Sequence, residues 1–132
     1  MRVQEGLGWR LVLDPARQPF CALIGGSGWA AELTRDEVLA LAEGVARLQV
    51  QHRQIADQLM ADEDLELDWE RGDLWIGLSL NRGRCILSFV LEAAAGRRSV
   101  EASWEGESSQ AMALALEVVP AMLEAYGNDL SP

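Results

Sequence analysis

The stretch of sequence that decides the fold covers residues 65–105 and reads LELDWERGDLWIGLSLNRGRCILSFVLEAAAGRRSVEASWE. Apolar and polar residues alternate along it with the period of two that is typical of strands with one buried face. Gly72, Gly83 and Gly96 interrupt the alternation, and glycine-containing links of this kind join the strands of β-hairpins. We therefore predict an antiparallel meander of four strands.

Three apolar residues fall on the outer face of this predicted meander, where most other residues are small or acidic: Trp75, Ile86 and Val90. Trp75 alternates against Leu74 and Ile76, so its side chain is expected to point away from the buried face. An exposed apolar patch marks a partner surface or lies beneath a covering helix. These three residues are the first candidates for an interaction surface.

Arginines at the ends of the predicted hairpins form the best candidate basic patch: Arg82, Arg84, Arg97 and Arg98. Charged hairpin tips are ordinary on a protein surface. Single-stranded nucleic-acid binders nevertheless combine positive charge with exposed aromatic side chains on which bases stack. The hypothesis of nucleic-acid binding requires the four arginines to converge on one surface with Trp75. The neighbouring strand residues are acidic, which counts against it.

Heptad-spaced apolar residues predict a long first helix, which begins after Thr34 and runs to about Ala61. Thr34 and Glu37 have the spacing of a capping box. The helix either kinks near Gly44 or packs partly outside its own subunit, because about 40 Å is long for a small domain. The stripe consists of Val38, Leu41, Val45, Leu48, Ile55 and Leu59, with His52 in the remaining position.

The flanking segments complete an α+β chain. Three strands are predicted before the first helix, at residues 9–14, 20–25 and 29–33, with a glycine-rich hairpin turn between the second and the third. A last helix is expected at roughly 109–126, capped by Ser108 and kinked by Pro120. We expect a single domain over residues 1–132, divided at about residue 62 into two strand-and-helix halves.

Composition limits the classes of function. The chain has 132 residues, 21 acidic and 11 basic, and all of the basic residues are arginine, which gives a formal net charge of −10. A field this negative repels nucleic acid and anionic membranes at long range, so nucleic-acid binding is disfavoured. The chain has neither a signal-like apolar segment at its start nor an apolar run of membrane-spanning length. These features predict a cytoplasmic protein that does not bind membranes.

The residues with side chains suited to catalysis do not form a recognisable set. His52 lies in the apolar stripe of the first predicted helix. It is either a core or interface histidine or a pH-sensitive contact between helices. Cys21 and Cys85 lie in separate apolar runs and are expected to be free thiols in a reducing compartment. The acidic run at residues 62–70 lacks the glycine that a calcium loop requires. We predict no catalytic residues, no metal and no cofactor.

Several segments in this order resemble a small uncharacterised family of cyanobacterial proteins. They are Gly6-Leu7-Gly8-Trp9-Arg10-Leu11, Gly25-Gly26, Trp29-Ala30, Glu32-Leu33-Thr34, Leu74-Trp75, Phe89 and Glu101-Ala102-x-Trp104. By resemblance, the fold is similar to that of the single-stranded-DNA-binding transcriptional regulators that include the Whirly proteins. That similarity implies antiparallel meander units, each followed by a long helix, and subunits that associate through helices.

These observations favour a non-enzymatic protein-interaction or regulatory module that binds a protein partner or forms a homodimer. The alternative is a single-stranded nucleic-acid-binding protein, by fold analogy alone. A third possibility, a small-ligand binder or an unrecognised enzyme, requires a preformed pocket with convergent polar groups.

Overall fold

Eight strands and three helices make up the described residues of this computed structural model, 1–60, 63–93 and 98–129. The strands are β1 (Arg2–Gly6), β2 (Trp9–Leu13), β3 (Ala22–Gly26), β4 (Trp29–Leu33), β5 (Leu65–Arg71), β6 (Leu74–Asn81), β7 (Arg84–Ala93) and β8 (Arg98–Glu105). The helices are α1 (Arg35–Ala56), α2 (Glu107–Leu116) and α3 (Val119–Asp129). None of the described helices is long and apolar enough to cross a membrane.

The strands form two antiparallel sheets of four, with the orders β1-β2-β3-β4 (the first sheet) and β5-β6-β7-β8 (the second sheet). The α+β class and the four-stranded meander predicted over residues 65–105 are confirmed. The register sets Leu78 opposite both Leu67 and Leu87, and Leu87 opposite Trp104. Apolar residues therefore lie side by side on one face of the second sheet, as the alternation requires.

The first sheet has four strands, so the prediction of three was wrong. The additional strand, β1, pairs with β2 along its whole length, from Arg2 opposite Leu13 to Gly6 opposite Trp9. Its side chains are exposed except for Gln4, which is half-buried. A strand held by backbone pairing alone buries no apolar face, and therefore leaves no alternation in the sequence.

Helix α1 begins with the predicted capping box. The backbone N–H of Glu37 donates to Thr34 Oγ1, and the N–H of Thr34 donates to Glu37 Oε1 at 2.8 Å. The helix ends at Ala56, short of the predicted end, and residue 61 lies outside the described part of the chain. Leu48 is the last buried residue of the stripe, and the turns beyond it have less core to bury against.

Gly44 marks the closest approach of α1 to the second sheet. A Cβ atom at this position would lie 2.4 Å from the indole of Trp69 and 2.5 Å from Ile76 Cδ1. Glycine costs about 1 kcal/mol relative to alanine inside a helix. Here it lets the helix axis approach the strands more closely than any side chain would permit.

The C-terminal helical segment differs from the prediction in two ways. It is divided into α2, which ends at Leu116, and α3, because in a continuous helix the ring of Pro120 would clash with the carbonyl of Leu116, four residues earlier. The residue that caps α2 is Gly106, with φ of +61° and no side-chain cap, and not Ser108. Ser108 lies inside the first turn, where its hydroxyl donates to the carbonyl of Glu105.

The core lies between the inner faces of the sheets and the helices. Helix α1 contacts β5 and β6, whereas α2 contacts strands of both sheets. Trp104 joins the sheets directly, because its indole N–H donates to the carbonyl of Gly25 at 2.8 Å and its ring lies 5.1 Å from that of Trp29. Phe89 completes the aromatic cluster, 5.5 Å from Trp104.

Candidate functional site

The three apolar residues predicted to face outward lie on the outer face of the second sheet. Trp75 on β6 is directly opposite Val90 on β7, and Ile86 lies four residues before Val90 on the same strand face. All three are half-buried. We call these three residues the outer patch.

The indole of Trp75 is held in one orientation. Its Nε1–H donates to Asp68 Oδ2 on β5 at 3.2 Å. The ring lies across Gly77, since a Cβ atom there would come within 2.5 Å of it. A glycine inside a strand often marks such a close approach. The aromatic face is therefore positioned before any partner arrives.

A groove of about 370 Å³ runs beside this indole on the outer face. Trp75 forms one side of it, the carboxylates of Glu66 and Asp68 form another, and Ser79 and Ser88 contribute hydroxyl groups. It combines an aromatic surface, negative charge and neutral hydrogen-bonding groups. Such a combination suits a cationic group better than an anion.

Acidic residues flank the groove on both edge strands of the second sheet. Strand β5 carries Glu66, Asp68 and Glu70, and none of them forms a salt bridge within residues 1–60, 63–93 and 98–129. Strand β8 carries Glu101 and Glu105 on the same face. We call these five residues the acidic rims.

The three candidate arginines that the structure describes do not assemble into one patch. Arg82, with φ of +52°, and Arg84 lie at the β6–β7 turn, where Arg84 forms a salt bridge with Glu105. Arg98 begins β8 opposite Ala93, at the far end of β7, about 30 Å from Arg84 along the strand. Arg97 lies outside the described residues.

Arg98 also faces the wrong way to join the outer patch. It donates to Glu37 Oε1 at 2.7 Å and to the carbonyl of Glu32 at 2.7 Å, and its guanidinium lies over the ring of Phe20. Burial alone would raise the pKa of Glu37, but hydrogen bonds from Arg98 and from the backbone of Thr34 lower it overall. This arginine joins the second sheet to the start of α1.

His52 lies apart from the outer patch. It is half-buried on α1 and lines a cavity on the inner face of the second sheet, together with Cys85. Both cysteines are free thiols, and burial raises the pKa of Cys21. Across the described residues, no group of three or more histidine, cysteine or acidic side chains is arranged to hold a metal ion.

Sequence reasoning located the outer patch but missed the contacts that shape it. Neither the hydrogen bond from Trp75 to Asp68 nor the groove was predicted. The available signal was Gly77, an isolated glycine within a strand pattern, which indicates close approach by another group. The β5–β6 register sets Asp68 opposite Gly77, so the indole that lies across Gly77 also reaches the carboxylate of Asp68.

Comparisons with known proteins give a family and a fold. Residues 4–119 match the profile of a domain of unknown function, DUF1818. A crystal structure of a protein of unknown function from Prochlorococcus sp. NATL2A, assigned to the DUF155 family, is 35% identical to this chain. The two superpose with a TM-score of 0.81 over 88% of this chain and 96% of the other. No curated protein matches the sequence.

Proposed function

Since this chain belongs to the DUF1818 family of unknown function, we propose its function from its own surface. The outer face of the second sheet binds a positively charged segment of a partner protein, and the role is one of interaction and not of catalysis. The partner segment presents arginine or lysine side chains interspersed with apolar residues.

One observation carries this proposal, which is that Trp75 lies fixed across Gly77 between the acidic rims. A guanidinium or ammonium group stacked on the indole gains cation–π attraction. The same group is within reach of carboxylates in the groove, and hydrogen bonds to charged acceptors are about twice as strong as neutral ones. Val90 and Ile86 offer an apolar surface for the neighbouring side chains of the partner.

The charge of the whole chain supports a basic partner. The formal net charge of −10 speeds the approach of a cationic protein and slows that of an anionic one. A second copy of this chain carries the same charges. An isologous dimer through the outer face would set acidic rims against acidic rims, so this face favours a different protein.

Nucleic acid is the competing ligand, and the local charges disfavour it. Phosphates near Trp75 would meet Glu66, Asp68 and Glu70, whereas Arg84 is already paired with Glu105. Affinity for nucleic acid rests largely on cations that displace counterions from the phosphates. The two proposals therefore predict ligands of opposite charge at the same surface.

The test is a titration of the ¹⁵N-labelled protein followed by NMR in about 0.15 M salt. The probes are a short peptide of alternating arginine and leucine, its glutamate-and-leucine counterpart, and oligothymidylate. We expect the arginine peptide to shift the indole resonance of Trp75 and the amide resonances of β5 and β6. The other four tryptophan indole resonances should not move.

Matched variants separate a specific site from net charge. Asp68→Asn and Trp75→Ala should each weaken binding of the arginine peptide about tenfold, which corresponds to about 1.4 kcal/mol. Glu5→Gln removes the same charge from the first sheet and should leave binding unchanged. If Asp68→Asn and Glu5→Gln weakened binding of the arginine peptide equally, net charge alone would explain the binding, and the proposal would be overturned. Shifts of the same resonances by oligothymidylate would replace it with nucleic-acid binding.

A further inference from the structure

A second cavity lies on the opposite side of the second sheet, between α1, α2 and the inner face of β6 and β7, and it is open to solvent beside Gly83 and Gln110. Its volume is about 250 Å³. The apolar part of its wall comes from three elements, with Val45 on α1, Leu78 on β6 and Leu87 on β7. These residues belong to the inner face and are not part of the outer patch.

Polar groups converge on this cavity from the same elements. Gln49 and His52 follow Val45 at the spacings of one helical face. Gln110 and Ser109 reach it from the first turns of α2, and Cys85 from the start of β7. An apolar cavity with a few convergent polar groups is the usual form of a small-molecule site.

The wall between α2 and β7 is fixed by hydrogen bonds. The N–H of Gly106 donates to the carbonyl of Cys85 at 2.7 Å. Ser109 is 2% exposed, and its hydroxyl donates to the carbonyl of Gly106 at 2.6 Å. The first bond attaches the start of α2 to the strand that carries Cys85, and the second holds the first turn of α2 in place, so this wall of the cavity is formed by the fold itself.

We infer that this cavity binds a small neutral ligand with a flat apolar body and an amide-like edge. The described residues that line it include no aspartate, glutamate or arginine, so an ionised ligand would be desolvated with no permanently charged group beside it, and only His52 could supply a positive charge. The carboxamides of Gln49 and Gln110 each offer donors and an acceptor, which an amide or a similar heteroaromatic edge matches. Leu78 and Leu87 suit the apolar body.

Benzamide is a suitable probe, and benzoate is its charged counterpart of nearly the same shape. We expect benzamide to bind in the millimolar range and to shift the side-chain amide resonances of Gln49 and Gln110 and the backbone amides of Cys85 and Ser109. At about pH 8.5, where a histidine of ordinary pKa is neutral, benzoate should bind at least tenfold more weakly. Equal binding of the two probes, or shifts confined to other residues, would overturn the inference.

Two modifications test the location. Gln110→Ala removes one of the exposed helix residues that reach the cavity and should weaken benzamide binding several-fold. Gln51→Ala, an equivalent change on the other side of α1, should not. Modification of Cys85 with benzyl methanethiosulfonate should fill the cavity and abolish binding, whereas the Cys85→Ser variant should remain unmodified and bind.

The result is independent of the interaction surface proposed above. Benzamide binding that persists after the Cys85 label, or no saturable binding up to 10 mM, would overturn the small-ligand site. Neither outcome involves Trp75 or Asp68, which lie on the opposite face of the sheet. The arginine-peptide titration therefore tests the interaction surface independently of the benzamide experiment.

Discussion

The two sheets share a topology but differ in the chemistry of their outer faces. On the first sheet, Val3, Val12 and Leu23 stand side by side in register. The charges beside this row are neutralised locally, with Glu5 paired to Arg10 at 3.4 Å. On the second sheet, Trp75 and Val90 stand side by side, but the carboxylates of β5 have no such partners within the described residues.

This difference separates what builds the fold from what is available for binding. The second sheet owes its strand order to alternation and tight turns, and the first sheet follows the same rules except at β1, which lacks alternation, and at the longer connection between β2 and β3. The outer faces are free of that constraint, so their charge can vary without changing the meander. The carboxylates of β5, unpaired within the described residues, contrast with the paired charges of the first sheet, and this contrast is therefore a functional clue and not a requirement of folding.

The largest expected effect comes from breaking the connection between the sheets. Trp104→Ala removes a side chain that is 1% exposed, together with its hydrogen bond to Gly25. We expect a loss of about 3–5 kcal/mol in the free energy of unfolding, measured by urea denaturation. Trp75→Ala, on the outer face, should cost far less. Similar losses for the two variants would mean that Trp75 is a structural residue.

A smaller effect is expected at the second connection, between Arg98 and Glu37. The pKa of Glu37 is lower in the folded chain than its ordinary value. The ionised form is therefore the one that the fold favours. Its contribution is complete above the unfolded-state pKa and is lost as the pH falls through the folded-state pKa.

Urea denaturation at a series of pH values from 7 to 3 measures this contribution. Glu37→Gln should lower the free energy of unfolding by about 1–3 kcal/mol at neutral pH. The difference from the parent chain should shrink below the ordinary titration range of glutamate. Glu5→Gln serves as the exposed control, and a difference independent of pH would contradict the role of the ionised carboxylate.

The smallest effect concerns the outer faces themselves. Glu66→Gln removes an unpaired carboxylate beside Asp68, whereas Glu5→Gln removes one that is paired with Arg10. We expect the first to raise the free energy of unfolding and the second to lower it, each by about 0.5 kcal/mol or less. Both changes should vanish in 1 M salt, because screening removes exposed charge interactions. Changes of the same sign would contradict the contrast between the faces.

Much of the fold could be predicted from the sequence, because alternation is a local signal. The strand from Trp29 to Leu33 and the four strands after residue 64 follow from it, as does the capping box at Thr34. Strand β1 could not be found in this way, because it is held by pairing with β2 and buries almost nothing. The sequence predicts a kinked helix at Pro120. The structure instead has two separate helices, and a proline alone does not indicate which of these outcomes occurs.

The candidate sites were less accessible to prediction. The outward direction of Trp75 follows from its place in the alternation, but its bond to Asp68 depends on the β5–β6 register. The inner cavity brings together His52, Cys85 and Ser109, which are far apart in sequence. No spacing rule connects residues on a helix, a strand and a second helix. Their proximity follows from packing alone.

Strand β5 is an edge of the second sheet, and an unpaired edge is a template on which another strand can add. A second β5 laid against it in the antiparallel sense would bring rows of carboxylates from Glu66, Asp68 and Glu70 close together. Like charges across neighbouring strands destabilise their pairing. The same acidic row that would attract a cationic partner to the sheet face therefore also opposes the addition of a second β5 at this edge, which is the first step of fibril-like growth.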